Sequence, residues 1–163
     1  MTERVIADDY GRTRKWPGIV LAPPATLAPG DFRFRSMETL RFADADISGH
    51  VSQAAIVAFC ATGRSLLLAD CASLPPAHAR WVAGQLTVDF RGGLICPGTA
   101  EIGTAIQRLG RSSIRFLQGV FQDGQCRAIA GAVMVLIDAN GAPLAIPAGL
   151  RERLGAMIGP ART

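Results

Sequence analysis

Lysine is almost missing from this 163-residue chain: Lys15 is the only one, and the remaining basic residues are arginines. Aromatic residues make up 6%, with a single tyrosine, and no basic stripe is interleaved with them. That excludes the stacking platforms on which single-stranded nucleic acids are bound. Seventeen basic residues face thirteen acidic ones, for a net charge of +4, and no run of five like charges occurs. A polyelectrolyte tail is excluded with them. The four cysteines, Cys60, Cys71, Cys96 and Cys126, form no CxxC pair, and neither His50 nor His78 lies at metal-ligand spacing from them. This argues against a structural zinc site and a disulfide framework, and for a reduced interior. No apolar run approaches the roughly 18 residues of a membrane helix. The opening stretch MTERVIADDYGRTRKW mixes acids and bases without an apolar centre, unlike a secretory signal. These absences predict a soluble, cytoplasmic protein with neither a membrane nor a nucleic acid as partner.

What is present is apolar: 49% of residues are hydrophobic and the mean hydropathy is +0.26. A chain of this length suits one domain. Residues 1–30 hold Pro17, Pro23, Pro24 and Pro29 with scattered charges, and read as an N-terminal arm, with a short strand or helix at most near Ile19–Leu21. Residues 31–163 read as a single domain. Phe32, Phe34, Leu40 and Phe42 share one parity against Arg33, Arg35, Thr39 and Arg41, the pattern of a half-buried strand. Ser36 and Glu38 interrupt its apolar side, which suits a bulge or a sheet edge. Asp44, Asp46, Ser48 and Gly49 then supply turn and N-cap chemistry.

Val51 to about Asp70 is the one long helical candidate. Ala54–Ala61 is apolar on all sides and no carboxylate occurs before Asp70. Such a helix is expected to be wrapped by protein. After a loop at Leu74–Ala79 the period returns to two, at Leu86–Phe90, Ile102–Leu109, Ser113–Gln122 and Cys126–Ile137. Turns at Asp123–Gly124 and Asn140–Gly141 separate later strands, as in an antiparallel meander. A short helix is expected around Leu150–Ile158. One buried helix and about five antiparallel strands are most economically arranged as an α+β fold in which a curved sheet wraps the helix, the hot-dog architecture.

The run Asp44-Ala45-Asp46-Ile47-Ser48-Gly49-His50-Val51-Ser52-Gln53 resembles the DTDxxGHVNN signature of the hot-dog acyl-CoA thioesterases related to 4-hydroxybenzoyl-CoA thioesterase. The register continues to Arg64, where the family commonly has an arginine. Arg108-Leu109-Gly110-Arg111-Ser112-Ser113 is similar to its RLGRSS turn, and the tail from Val135 through Pro147, Arg151 and Glu152 also fits. The likeness spans about Phe32 to Leu154. The chain departs from the pattern where Ser52 and Gln53 replace paired asparagines, Ile56 replaces a tyrosine, and Ala61 and Thr62 replace glutamates.

The resemblance implies hydrolysis of an acyl-CoA thioester, with no cofactor beyond the coenzyme A carried by the substrate. Asp46 takes the family's catalytic aspartate, as nucleophile or general base, and His50 is a secondary catalytic candidate. Backbone amides of Ser52 and Gln53 would polarise the thioester oxygen at the helix N-terminus. Arg111, Ser112 and Ser113 are candidates for coenzyme A. A homodimer or homotetramer with sites made from two subunits is implied, and the sheet edge gives a physical reason to pair. Plainer roles stand beside these. An aspartate before a helix is ordinarily a cap, Asp44 reads as holding the turn, and Arg64 as a structural partner of a loop carboxylate. A non-catalytic acyl-thioester or lipid-binding module is the alternative. A hot-dog dehydratase would need an Asn-Pro context that the loop lacks.

Overall fold

The computed structural model describes residues 27–71 and 74–159, together with the backbone of a small antiparallel ribbon formed by β1 (Val5–Ala7) and β2 (Thr13–Lys15). The expected element near Ile19–Leu21 lies outside the described residues. The main sheet comprises β3 (Phe34–Leu40), β4 (Ala79–Phe90), β5 (Gly98–Leu109), β6 (Ser113–Gln122) and β7 (Gln125–Asp138). Between β3 and β4 runs α1 (Gln53–Asp70), and α2 (Ala148–Ala156) follows β7. Every pairing is antiparallel, in the order β3-β5-β6-β7-β4. This is the hot-dog arrangement of one α+β layer pair, with α1 lying on β3, β5 and β6.

A plain meander is not what forms. Strands β5, β6 and β7 do follow one another, but β4 crosses to the far edge and pairs with β7. It also begins earlier than its clean alternation, because a bulge between Ala83 and Gln85 shifts its parity. At the other edge, β3 pairs with β5 without a register shift, so Ser36 and Glu38 mark an edge strand and not a bulge. Phe42 leaves the strand and is 76% exposed in a 3-10 turn over Phe42–Asp44.

Two apolar layers hold the sheet. On the helix side Ile56, Phe59 and Cys60 pack with Leu40, Ile102, Val120, Ala128 and Ala130. Farther along, Leu67 and Leu68 meet Phe116, Ile114 and residues Leu150 and Leu154 of α2. Burial pushes the Cys60 thiol up to about 11, as befits a small core residue. The approach of α1 is closest at Gly63, where a Cβ would stand 3.0 Å from both the Ile102 methyl and Thr104 Oγ1. On the opposite side of the sheet Leu27 and Phe32 close over Leu117, Phe121 and Ile129. Phe32 therefore serves the outer layer, and its ring lies against Gly103 and Gly119, where side chains would collide with it.

The helix is not wrapped on every side. Ile56, Phe59, Cys60, Gly63, Arg64, Leu67 and Leu68 are buried, but Ala54, Ala58 and Ala61 are exposed within the single chain. The sheet curls under α1 without reaching round it, and the inner-face residues Ala83, Leu86 and Phe90 of edge strand β4 are exposed as well. Among the described residues no helix is long and apolar enough to cross a membrane.

Candidate active site

The segment between β3 and α1 is folded by its own short-range bonds. Asp44 Oδ2 accepts from the Arg41 amide at 2.8 Å, so Asp44 holds the turn as expected. The Asp46 amide donates to the His50 carbonyl at 2.8 Å, and the Gly49 amide to the Asp46 carbonyl at 3.0 Å. Gly49 has φ +79°, a conformation that side-chain-bearing residues rarely adopt, which is why a glycine ends this turn. Ala45 bridges Val51, and His50 bridges Ile95 in the loop before β5. The Val51 amide also donates to the Leu94 carbonyl at 2.9 Å. The acidic loop is thereby pinned to the Gly92–Cys96 segment, across the N-terminus of α1.

Within this loop Asp46, Ser48 and His50 form one hydrogen-bonded series. Asp46 Oδ1 accepts from the Ser48 amide at 2.8 Å and from Ser48 Oγ at 2.5 Å. Ser48 Oγ lies 3.1 Å from His50 Nδ1. The Ser48 hydroxyl first, then the Ser48 amide, hold the exposed Asp46 carboxyl below its ordinary value. The cap of α1 is a different residue: Ser52 Oγ accepts from the Ala55 amide at 3.2 Å. Asp46 is thus not the helix cap. His50 is exposed, with its ring laid against Gly93, where any side chain would run into the imidazole.

The oxyanion donors expected at Ser52 and Gln53 separate here. The Ser52 amide donates to the Asp44 carbonyl at 2.7 Å and is spoken for. The first-turn amides of Gln53 and Ala54 have no acceptor among the described residues, as helix geometry requires unless something else supplies one. The Ser52 hydroxyl caps the helix while its amide is occupied, and the open first-turn amides begin at Gln53.

Arg111, Ser112 and Ser113 lie at the β5–β6 turn, at the far end of β5 from Gly98, which pairs with Leu40 just before the acidic loop. Twelve residues of β5 separate the two ends, roughly 36 Å in extended chain. Within one chain these residues do not meet Asp46. Their backbone instead anchors the C-terminal segment: the Ile146 amide donates to the Arg111 carbonyl at 2.8 Å, and Arg151 Nη2 to the Gly110 carbonyl at 2.6 Å.

Two features of the site escape sequence reading, and a third, the partner of Arg64, differs from the one expected. The Gln122 side chain bonds both backbone groups of Ile95 and so fixes the loop beneath His50. Glu38 carries a carboxyl raised by burial, and it faces Arg41 and Asp44. Arg64, 6% exposed, has no carboxylate partner among the described residues; its Nη1 donates to Gln118 Oε1 at 2.6 Å. Gln118 Nε2 in turn donates to the Cys60 carbonyl and Thr104 Oγ1. Glutamine-sized polarity in an otherwise apolar strand was the only available signal.

A curved antiparallel sheet packed on one long helix defines a protein of the hot-dog fold. The thioesterase superfamily model matches residues 48–128, which include Ser48, His50 and the whole of α1. The PA5185 protein from Pseudomonas aeruginosa is similar over 83% of this chain and 99% of its own, at 26% identity and a TM-score of 0.76. A thioesterase from Thermus thermophilus, solved with coenzyme A and zinc, is similar over 80% of this chain and 97% of its own, at 27% identity and a TM-score of 0.69. A 1,4-dihydroxy-2-naphthoyl-CoA thioesterase from Synechocystis, at 15% identity and a TM-score of 0.70, covers 78% of this chain and 98% of its own and shows the shared fold. No curated protein matches the chain.

Proposed function

We propose that the protein hydrolyses an acyl-CoA thioester to a free acid and coenzyme A, with Asp46 as the reacting carboxylate. The observation that carries this reading is an exposed Asp46 carboxylate, held below its ordinary range, in the loop that leads into α1, where the first-turn amides of Gln53 and Ala54 are open. Hydrolysis needs attack on the thioester carbonyl carbon, donors for the oxygen that gains charge, and departure of the sulfur as a thiol. Asp46 supplies the first as nucleophile or as base for water, and the helix amides supply the second. On the nucleophilic route water cleaves the resulting acyl-aspartate; on the general-base route water itself attacks and Asp46 takes its proton. The coenzyme A bound to the Thermus thermophilus thioesterase supports the choice of thioester.

The same reading takes the protein as a homodimer or homotetramer in the cytoplasm. The exposed alanines of α1 and the exposed inner face of β4 form an apolar strip open to a second copy. Because the Arg111 turn and the Asp46 loop sit at opposite ends of β5, a site that uses both draws them from two chains. Arg111, Ser112 and Ser113 then bind coenzyme A from the partner chain. No metal or further cofactor has a part in the scheme.

The competing reading, a non-catalytic acyl-thioester binder, is favoured by the occupied Ser52 amide. Thiol release from a panel of short, long and aromatic acyl-CoAs separates the two. Release from at least one member is expected; saturable binding with no release across the panel would establish the binder instead.

A further inference from the structure

Only one hydrogen is available on the Ser48 hydroxyl, and the structure brings two acceptors to it. Asp46 Oδ1 lies at 2.5 Å and His50 Nδ1 at 3.1 Å. An ionised carboxylate can only accept, and it is the stronger acceptor of the two, so the hydroxyl hydrogen goes to Asp46. The remaining Ser48 lone pair then faces His50, and the contact is a hydrogen bond only if His50 Nδ1 carries the proton. The same Asp46 oxygen also accepts from the Ser48 amide at 2.8 Å. Asp46 Oδ1 is therefore bonded twice by one residue, and the His50 backbone adds a weaker pull on the same carboxyl. The His50 ring lies over Gly93, where a side chain would collide with it.

Resting on the thioesterase reading above, we propose that Ser48 is a positioning residue which joins Asp46 and His50 into one unit. It fixes the uncharged His50 ring as the Nδ1-protonated tautomer, with the Nε2 lone pair free, and holds the Asp46 carboxylate by its Oδ1 oxygen. Ser48 touches neither the substrate nor the reacting atoms; it acts through the two residues it bonds.

The test is nuclear magnetic resonance on the full chain, with long-range proton–nitrogen correlations of the histidine rings near pH 9, where an ordinary imidazole is neutral, and a His78→Gln variant for assignment. The expected result is a dominant Nδ1-protonated His50 in the native protein and in Ser48→Thr, and a tautomer mixture in Ser48→Ala. In parallel, the carboxyl titration of Asp46 is expected to move up toward 3.8 in Ser48→Ala and to stay low in Ser48→Thr. The acid limb of kcat/KM should shift in the same direction and be restored by threonine. A native His50 protonated at Nε2, or an Asp46 titration unmoved by Ser48→Ala, would overturn the proposal. The resonance measurements need no turnover. A protein that hydrolyses no thioester would therefore defeat the functional reading while the tautomer still decided the role of Ser48.

Discussion

Gln122 reproduces a strand neighbour with its side chain alone: its Nε2 donates to the Ile95 carbonyl at 2.8 Å, and its Oε1 accepts from the Ile95 amide at 2.9 Å. Ile95 also bridges His50, so one buried amide on β6 sets the height of the loop that carries the imidazole. Removing that amide in Gln122→Ala should cost about 1–2 kcal/mol, since an exposed loop can recover part of the loss from water. Activity should fall more than stability, because the His50 support moves. Chemical denaturation alongside kcat/KM checks both. A full-activity variant would show that the Ile95 loop does not position the site.

Arg64 and Gln118 form a second such pair, deep under α1. Gln118→Met strips the buried guanidinium of its acceptor and should cost about 2–4 kcal/mol. Arg64→Met leaves only the Gln118 oxygen unpaired and should cost less, about 1–3 kcal/mol. The double variant should be more stable than the sum of the two losses predicts, by about 1 kcal/mol or more, since it removes both orphaned groups. Denaturation midpoints of the three proteins check the cycle, and strict additivity would show that the bond is not formed.

Glu38 yields a pH prediction whose sign opposes that of Asp46. Burial raises the Glu38 carboxyl in the folded chain, so the fold binds its proton more tightly than the unfolded chain does. Its contribution to stability is present below the unfolded value near 4.5 and lost as pH rises through the folded value. Glu38→Gln should therefore raise the Tm at pH 7 and leave it little changed in acid. Asp46, depressed in the fold, contributes above its unfolded value and loses that contribution as pH falls through the folded one. Melting curves from pH 3 to 8 distinguish these trends, and an equal Tm change at all pH values would count against burial as the cause.

Local pattern made much of this molecule legible. The span of α1, the limits of β6, the two strand turns after it and the acidic loop were readable because each is decided by neighbours in sequence. Phe32 and Phe42 misled because parity continues past the point where the strand ends, and only the glycine-lined outer face shows where Phe32 goes. The crossing of β4 was illegible since no short turn ties it to β5, and a bulge masks its alternation. At the site, the motif marks Asp46 and His50 as candidates, but the competition for the Ser52 amide depends on the Asp44 carbonyl folding back onto the helix. The split between the Asp46 loop and the Arg111 turn, at opposite ends of β5, follows from strand pairing that no motif encodes.

The central claim is that the Asp46 carboxylate carries out thioester hydrolysis. Asp46→Asn keeps the shape of the side chain and can still accept from Ser48, yet removes the charge and the nucleophile. The decisive measurement is the steady-state release of coenzyme A by this variant and the native protein, on the best substrate of the panel, with coenzyme A affinity measured on both. A loss in kcat of about 100-fold or more is expected, with coenzyme A binding unchanged. Native turnover in Asp46→Asn would contradict it.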